Sequence, residues 1–550
     1  MAGRGGEAWV VEAVPVPVVD TTGAGDAFAG AFAVALMERR LLERCWTRLW
    51  RRGPIEIAQR EVDKATSLHR FHVLQTFSPH AEDLDVGFPP HGWQEGYHGQ
   101  FFWDDVLVIP FLSTRFPSLA RALLLYRYRR LDEARRAAQR CGYRGAMFPW
   151  RRASTGAEVT ATLQLNLLSC HWMRDNTRLQ RHGGAAIAYN IWQYYLATGD
   201  GDFLSDYGAE MLLETARFWA SIARFNPEYG RYDIRGVMGP DEFHDAYPGA
   251  KESGIDNNAY TNAMAAWTLC RALEVLDYLP AKRRDELIEF LQLDAAEPRL
   301  WDDVSRRMRL VFHDNGIISQ FEGYEQLKEL ELDKLAKKHP GERADWALEA
   351  QCDDANAYRI AKQADALLLY YLLPGDELRT ILTHLGYDLS RDQLTRTADY
   401  YLARTTHDSS LSRIARAGAF ARLDPAMSWR LFCQSLRPDA EPCNSATSEE
   451  GLHLSAMAGS IDVIQRHYLG LGFEPDAIKL DPAPPPELGP VKLKFAYRQD
   501  NFTLHWTGSV LKIAASPSNR ARVTVRYRGK CATLVPDAEL TYAIDLSKIW

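Results

Sequence analysis

The run Gly239-Pro240-Asp241-Glu242-Phe243-His244 places two carboxylates and an imidazole on a segment opened by two helix breakers. Glycine and proline favour a turn, so Glu242 is expected on a loop with the Phe243 ring beside it. An apolar neighbour desolvates a carboxyl and raises its pKa, the property a general acid needs to hold its proton near neutrality. Protonating a glycosidic oxygen is chemistry of this kind. The same Pro-Asp-Glu triplet also suits the cap of a surface helix, and its residues alone do not separate the two readings.

Three further groupings carry polar chemistry. Trp103 followed by Asp104 offers an apolar face for a pyranose ring and a carboxylate that can accept from two hydroxyls, or a buried ring with a helix cap. Lys362 and Gln363 supply several donors and one amide acceptor at the start of an apolar helix, although a lysine there also reads as part of a solvated face. Thr406-His407-Asp408-Ser409-Ser410-Leu411-Ser412 combines hydroxyls, an imidazole and an incipient helix N-terminus, which suits a phosphate or a plain serine N-cap.

The elements that must position these groups are mostly helical. Apolar residues recur at helical spacing in Leu119–Tyr128, Ile187–Tyr195, Met211–Ala223, Ala263–Leu279, Ile360–Leu373 and Ile414–Leu431. Many paired helices without a fixed repeat suggest a closed ring of helix hairpins over residues 54–480, with the polar motifs in its loops. Asp481-Pro482-Ala483-Pro484-Pro485-Pro486 reads as a stiff linker. The alternating runs Val491–Tyr497, Phe502–Trp506, Val510–Ala515 and Arg522–Tyr527 then predict a small β-domain over 487–550. The expected fold is mainly α: an (α/α)6 helical barrel with a small C-terminal β-domain and a short N-terminal α/β fragment over residues 1–45. Two adjacent glycines, Gly183 and Gly184, are expected to loosen the helix they open, at about 1 kcal/mol each.

Composition narrows the function. A chain of 550 residues is long enough for two or three domains or one barrel with appendages. A formal net charge of −7 with dispersed arginines leaves no basic footprint for nucleic acid. The eight cysteines form no Cys-x-x-Cys pair or zinc-like spacing, so no metal is expected and the thiols suit a reducing compartment. No signal-like head or membrane-length apolar run is seen, and the expected location is the cytoplasm. Most of the 15 tryptophans are expected to fill the core, and few to touch a sugar.

From about Pro54 onward the chain resembles glycoside hydrolase family 65, which contains maltose, trehalose, kojibiose and nigerose phosphorylases. The resemblance rests on the Glu242 loop, Gly96-Tyr97 with Phe102-Trp103-Asp104, the stretch Gly142–Trp150, Asn257-Asn258-Ala259-Tyr260-Thr261-Asn262, and Lys362-Gln363-Ala364-Asp365. It implies Glu242 as acid catalyst, Trp103, Asp104, Lys362 and Gln363 around the glucose next to the cleaved bond, and His407, Ser409 and Ser410 around phosphate. The implied reaction is inverting phosphorolysis of an α-linked glucose disaccharide to β-glucose 1-phosphate, with inorganic phosphate as co-substrate and no cofactor. Phosphate arrives as an anion, so a phosphorylase needs the acid alone, whereas an inverting hydrolase needs a second carboxylate about 6.5 to 9.5 Å away to activate water. A trehalase-like hydrolase using Asp408 or another loop carboxylate as base is the alternative, and an inactive, truncated sugar-binding chain is a third reading. The expected partners are the disaccharide and phosphate, neither nucleic acid nor membrane, with a homodimer admitted.

Family members usually carry a large β-sandwich before the barrel. Here the expectation is a different piece: an alternating strand, Trp9 to Val19, running into Asp20-Thr21-Thr22-Gly23-Ala24-Gly25-Asp26 and an alanine-rich helix. Strand, glycine turn and helix form an anion-binding layout. The piece resembles the C-terminal signature of ribokinase-like sugar kinases, in which Asp26 would be the base. With some twenty residues ahead of the turn, it is read as a fragment without kinase activity. An arginine-rich join, Arg48 to Arg52, leads on to the barrel.

Overall fold

The computed structural model describes residues 39–77, 79–92, 97–406, 409–437 and 452–544, in two compact units, 1–47 and 48–550. The expected N-terminal strand and glycine turn lie outside the described residues. A helix covers Arg39–Arg51.

In the larger unit, helices pair in sequence order. The pairs are α1 (Arg60–Thr76) with α2 (Ile109–Ser113), α3 (Pro117–Tyr128) with α4 (Gly183–Thr198), and α5 (Ala209–Ile222) with α6 (Ala259–Tyr278). They continue as α7 (Ala296–Arg307) with α8 (Asp365–Leu372), α9 (Arg391–Leu402) with α10 (Ser410–Phe420), and α11 (Pro425–Ser435) with α12 (Leu454–Asp462). The second member of each pair touches the next in turn, α2 to α4, α6, α8, α10 and α12, and α12 returns to α2. That closed inner ring makes the (α/α)6 barrel.

Sequence explains which helix is inside. Every residue of α8, Asp-Ala-Leu-Leu-Leu-Tyr-Tyr-Leu, is buried, as expected of a helix apolar on all sides. The outer α7 is amphipathic and buries Trp301 and Val304 while its arginines and aspartates face out. Gly183 and Gly184 do open α4, but the helix forms. A Cβ on Gly184 would sit 3.0 Å from Thr215 Cγ2, and one on Gly183 3.2 Å from the Phe148 carbonyl oxygen. Gly184 meets α5 and Gly183 the Phe148 loop at distances where a side chain would be tight, which suits glycine at both.

Two of the expected helices differ from the observed ones. The run Ile414–Leu431 is divided between α10 and α11, because Pro425 cannot continue a helix and Asp424 caps the next one by accepting from Met427 N at 2.9 Å. The run from Ile360 becomes helical only at Asp365, since Ala361 pairs as a bridge with Thr405.

After α12 the chain builds two antiparallel-rich sheets, one of which also takes in Ile55–Ile57 from ahead of α1. One orders Ile55–Ile57, Val491–Tyr497, Asp500–Trp506, Val510–Ala515 and Glu539–Ala543, while the other orders Lys530–Leu534, Val523–Tyr527, Ala477–Leu480 and Leu471–Glu474. Phe473 of the second sheet stacks on Tyr497 of the first at 5.4 Å, so the two faces share an aromatic core. Strand register follows alternation, as in Val491–Tyr497, whose odd-numbered residues are buried.

The connections from outer to inner helices, long except for 403–409, bring the polar motifs to one end of the barrel. They span 77–108, 129–182, 223–258, 308–364, 403–409 and 436–453. Return connections such as 114–116 and 421–424 are short.

Candidate active site

The segment Gly239–His244 is a buried turn, and no helix follows it, so the capping reading fails. Glu242 adopts a left-handed backbone with φ 67°, a conformation that costs a non-glycine residue on the order of 1 kcal/mol. Hydrogen bonds from neighbouring connections hold it there. Asp241 Oδ1 accepts from Lys362 N at 2.7 Å, and Gln363 Nε2 donates to the Pro240 carbonyl at 2.6 Å. His244 Nδ1 lies 2.8 Å from Asp241 Oδ2 and Nε2 lies 2.9 Å from the Tyr358 carbonyl oxygen. A carbonyl only accepts, so Nε2 donates, and Nδ1 faces the Asp241 carboxylate.

Gly239 is required by contact. A Cβ there would lie 1.9 Å from Asp365 Oδ2 and 2.4 Å from Asn258 Nδ2. Those two atoms form their own bond at 2.5 Å, joining two of the motifs read from the sequence. Burial, with the Asp241 charge added, raises the Asp365 carboxyl well above the ordinary carboxylate range.

Glu242 points to Lys362, whose Nζ donates to Oε2 at 2.7 Å. Burial is the largest influence and lowers the lysine's pKa, but the Glu242 charge, Tyr97 and the hydrogen bond to Glu242 together leave the shift upward. The expected aromatic wall is not its partner. Phe243 packs instead with Ala344, Leu348, Ala355 and Ile360.

These groups face a cavity of about 420 Å³. Every outer-to-inner connection contributes: His91, Trp150, Glu242, Lys362, Ser409 and His453 come from the six in turn. Trp103 lines it too, its ring held edge-on by His182 at 5.0 Å and Tyr260 at 5.9 Å. Asp104 is 1% exposed, and among the described residues neither of its oxygens receives a hydrogen bond. His91 Nε2 is 3.3 Å from Asp104 Oδ2, yet burial lowers the imidazole well below its ordinary value and keeps it neutral. Burial raises Asp104 to about 8, with Asp105 and Glu242 adding repulsion. His453 Nδ1 and Trp150 Nε1 are likewise buried without partners among the described residues. Buried polar atoms are normally paired, so this cluster marks a place for a hydroxyl-rich ligand.

Volume alone does not locate that place. A recess of about 680 Å³ at the other end of the barrel, lined by Trp192, Trp267 and Lys479, is larger. It lacks the orphaned carboxyl of Asp104, which is the feature that selects the smaller cavity.

The structure therefore brings Glu242, Trp103, Asp104, Lys362, Gln363 and Ser409 to one cavity. Ser409 Oγ donates to Gln363 Oε1 at 3.1 Å and accepts from Leu411 N at 3.2 Å, so it caps α10 and faces the cavity at once. His407 and Asp408 lie outside the described residues, as does the Ser410 side chain. Sequence reasoning missed His91, His453, Arg151, Arg174, Arg343 and Trp346, which are single residues on long connections. Only Arg151 carried a signal, standing next to the quoted Trp150. No group of three or more His, Cys, Asp or Glu among the described residues is arranged to hold a metal, and no described helix is long and apolar enough to cross a membrane.

The central catalytic domain of glycosyl hydrolase family 65 matches residues 67–462. The chain belongs to that family. A second match, to the pfkB family of carbohydrate kinases, covers residues 2–48, the segment read as kinase-like. An uncharacterized glycosyl hydrolase of Mycobacterium tuberculosis is 48% identical over 88% of this chain and 37% of its own length. Trehalose 6-phosphate phosphorylase of Lactococcus lactis is 35% identical over 82% of this chain and 57% of its own. Kojibiose phosphorylase of Halothermothrix orenii is 31% identical, with 85% and 57% covered. Among solved structures, a putative kojibiose phosphorylase from the human microbiome matches with a TM-score of 0.73 at 22% identity, covering 90% of this chain and 64% of that one. The family 65 chain thus spans little more than half, or less, of the curated relatives it matches.

Proposed function

We propose that this family 65 chain is an inverting phosphorylase of an α-linked glucose disaccharide of the maltose, trehalose, kojibiose or nigerose type. The observation that carries this reading is the state of the carboxyls around the cavity. Inverting hydrolysis needs a second carboxylate to activate water. Asp104, raised to about 8, is largely protonated at neutrality. Asp245 accepts from Asn176 at 2.6 Å and Asn356 at 2.8 Å, and Asp175 accepts from Thr177 N at 2.9 Å. Among the described carboxyls of the lining, burial holds Asp104 protonated and Asp175 and Asp245 accept hydrogen bonds from the wall, while Glu242 faces the cavity with the Lys362 ammonium as its partner. The phosphorylases among the relatives support the same reading.

In this mechanism the glucose ring lies against Trp103, and Asp104, Lys362 and Gln363 take its hydroxyls. Lys362 turning to the sugar leaves Glu242 free to carry the proton that it delivers to the departing oxygen. Phosphate, held by His407, Ser409 and Ser410 at the N-terminus of α10, attacks the anomeric carbon from the opposite face and yields β-glucose 1-phosphate. Phosphate is the sole co-substrate, no cofactor takes part, the enzyme is cytoplasmic, and a homodimer is compatible with it. A second reading, hydrolysis with Asp408 as base, is separated by one assay: glucose 1-phosphate and glucose released from the four disaccharides with and without phosphate. Phosphorolysis predicts glucose 1-phosphate only when phosphate is present, and equal glucose release without phosphate would overturn it. The linkage is set by the far side of the cavity and not by the acid, so the same panel names the substrate.

A further inference from the structure

Four consecutive residues of the acid turn, Glu242 back to Gly239, are gripped in order by one segment, 362–365. Lys362 Nζ donates to Glu242 Oε2 at 2.7 Å, the Lys362 backbone N–H to Asp241 Oδ1 at 2.7 Å, and Gln363 Nε2 to the Pro240 carbonyl at 2.6 Å. The row ends with Asp365 against Gly239, so close that a Cβ on the glycine would sit 1.9 Å from Oδ2 and 2.9 Å from Cγ. Lys362 and Gln363 line the cavity. Asp365 stands behind it, wholly buried at the start of α8.

Asp365 is tied in turn to α6. Asn258 Nδ2 donates to Asp365 Oδ2 at 2.5 Å, and Asn258 Oδ1 caps α6 by accepting from Thr261 N at 2.9 Å. The cap fixes which way the amide points, because only its oxygen can accept from a backbone N–H. Nδ2 also reaches the Gln320 carbonyl at 3.2 Å, and the Gln320 side chain accepts from Asp365 N at 3.3 Å. One carboxyl therefore bridges the first residue of the acid turn and the openings of two inner helices. Burial above all, then the charge of Asp241, pushes this carboxyl up, and the Glu242 charge adds to the effect. A charge is disfavoured at the position, so what Asp365 contributes is its shape and a hydrogen-bond acceptor.

We propose that Asp365 is a positioning residue for the acid: through its bond to Asn258 and its contact with Gly239 it fixes where the Glu242 carboxyl meets the departing oxygen, without touching substrate itself. This rests on the reading of Glu242 as the acid. The left-handed backbone of Glu242, at φ 67°, persists only where its surroundings over-determine it, and Asp365 supplies the hold at the start of the turn. Proton delivery demands that hold, since a reacting group displaced by about 1 Å loses about a hundredfold in rate.

The test compares two donors, each with inorganic phosphate. One is the disaccharide turned over among maltose, trehalose, kojibiose and nigerose; the other is α-glucosyl fluoride, whose fluoride departs without a proton. Asp365→Ala should lower kcat on the disaccharide about tenfold to a hundredfold, with KM and the fluoride rate each within about threefold of the parent. Asp365→Asn keeps an acceptor facing Asn258 and should recover most of the loss. Asn258→Ser removes the donor but keeps a cap for α6, so it should reproduce the donor-dependent loss, and it decides if Asp365→Ala does not fold. Equal loss on both donors in these variants, with Glu242→Gln still separating the donors, reduces Asp365 to a structural residue and overturns the proposal alone. If Glu242→Gln does not separate them, the acid reading fails and the proposal falls with it. If none of the four sugars reacts, hydrogen exchange across residues 239–244 decides. Faster exchange in Asp365→Ala at unchanged global stability, restored in Asp365→Asn, sustains the positioning role, and equal exchange in both variants and the parent removes it.

Discussion

Two connections at the same end of the barrel are built in opposite ways. The Gly239–His244 turn is buried, carries a left-handed glutamate, and is bonded to Tyr358, Lys362 and Gln363. The Leu163–Arg174 hairpin projects, leaving Leu167 68% and Trp172 67% exposed, and is anchored mainly through Asn166, Ser169 and His171 to one short helix. The difference separates two demands. A group that must meet a bond within a fraction of an ångström sits on backbone fixed from several sides, and selectivity for the departing partner is left to a rim that can vary without disturbing the fold.

The contrast is broken most severely at Gly239. A methyl placed 1.9 Å from Asp365 Oδ2 forces the turn off Asn258, so Gly239→Ala should destabilise the fold by about 3 kcal/mol and abolish turnover, read by a denaturant midpoint and a rate. A milder variant leaving both unchanged would show that the turn is not so tightly fixed. His244→Phe keeps the ring volume but removes both of its bonds. Asp241 then loses the partner of one oxygen, and kcat should fall by about tenfold to a hundredfold with KM changed far less. His244→Gln, which can keep one bond, should recover part of the loss; equal loss in kcat and affinity would mark a structural role only.

The pH dependence sharpens the inner side of the comparison. Asp104 binds its proton more tightly folded, near 8, than unfolded, near about 3.9. Its contribution to stability is complete below about 4 and is lost as pH rises toward about 8, because the unfolded chain releases the proton first. Stability should decline over that window, and Asp104→Asn should flatten the slope, with Asp365 leaving a residual decline. An unchanged slope in the variant would remove Asp104 as its source. At the rim, Trp172→Ala should change stability by no more than about 0.5 kcal/mol, since two thirds of the ring is already in solvent.

Much of this arrangement could be read from residue order. Helical periodicity placed Leu119–Tyr128 and Ala263–Leu279 close to α3 and α6, and alternation found Val491–Tyr497 to the residue. Chemistry concentrated in contiguous motifs was legible too: Trp103-Asp104, Pro240-Asp241-Glu242 and Lys362-Gln363 all reach the cavity. What stayed hidden depends on contacts between distant segments. The neutral state of His91 comes from burial beside residues 97 and 453, and nothing within its own segment announces it. The partner of Glu242 is 120 residues away, so the sequence suggested the adjacent phenylalanine instead of Lys362. The split at Asp424-Pro425 was visible in the residues but masked by continuous apolar spacing on either side.

The central claim is that Glu242 serves as the acid for the departing sugar in a phosphorolysis. It is tested most directly by comparing two donors in Glu242→Gln, each with phosphate: the disaccharide substrate, whose leaving oxygen needs a proton, and α-glucosyl fluoride, whose fluoride leaves without one. The account predicts that the variant loses disaccharide turnover by about a hundredfold or more, yet still makes β-glucose 1-phosphate from the fluoride at a rate near that of the unaltered enzyme. Loss of both donors together, or retention of disaccharide turnover, would contradict it.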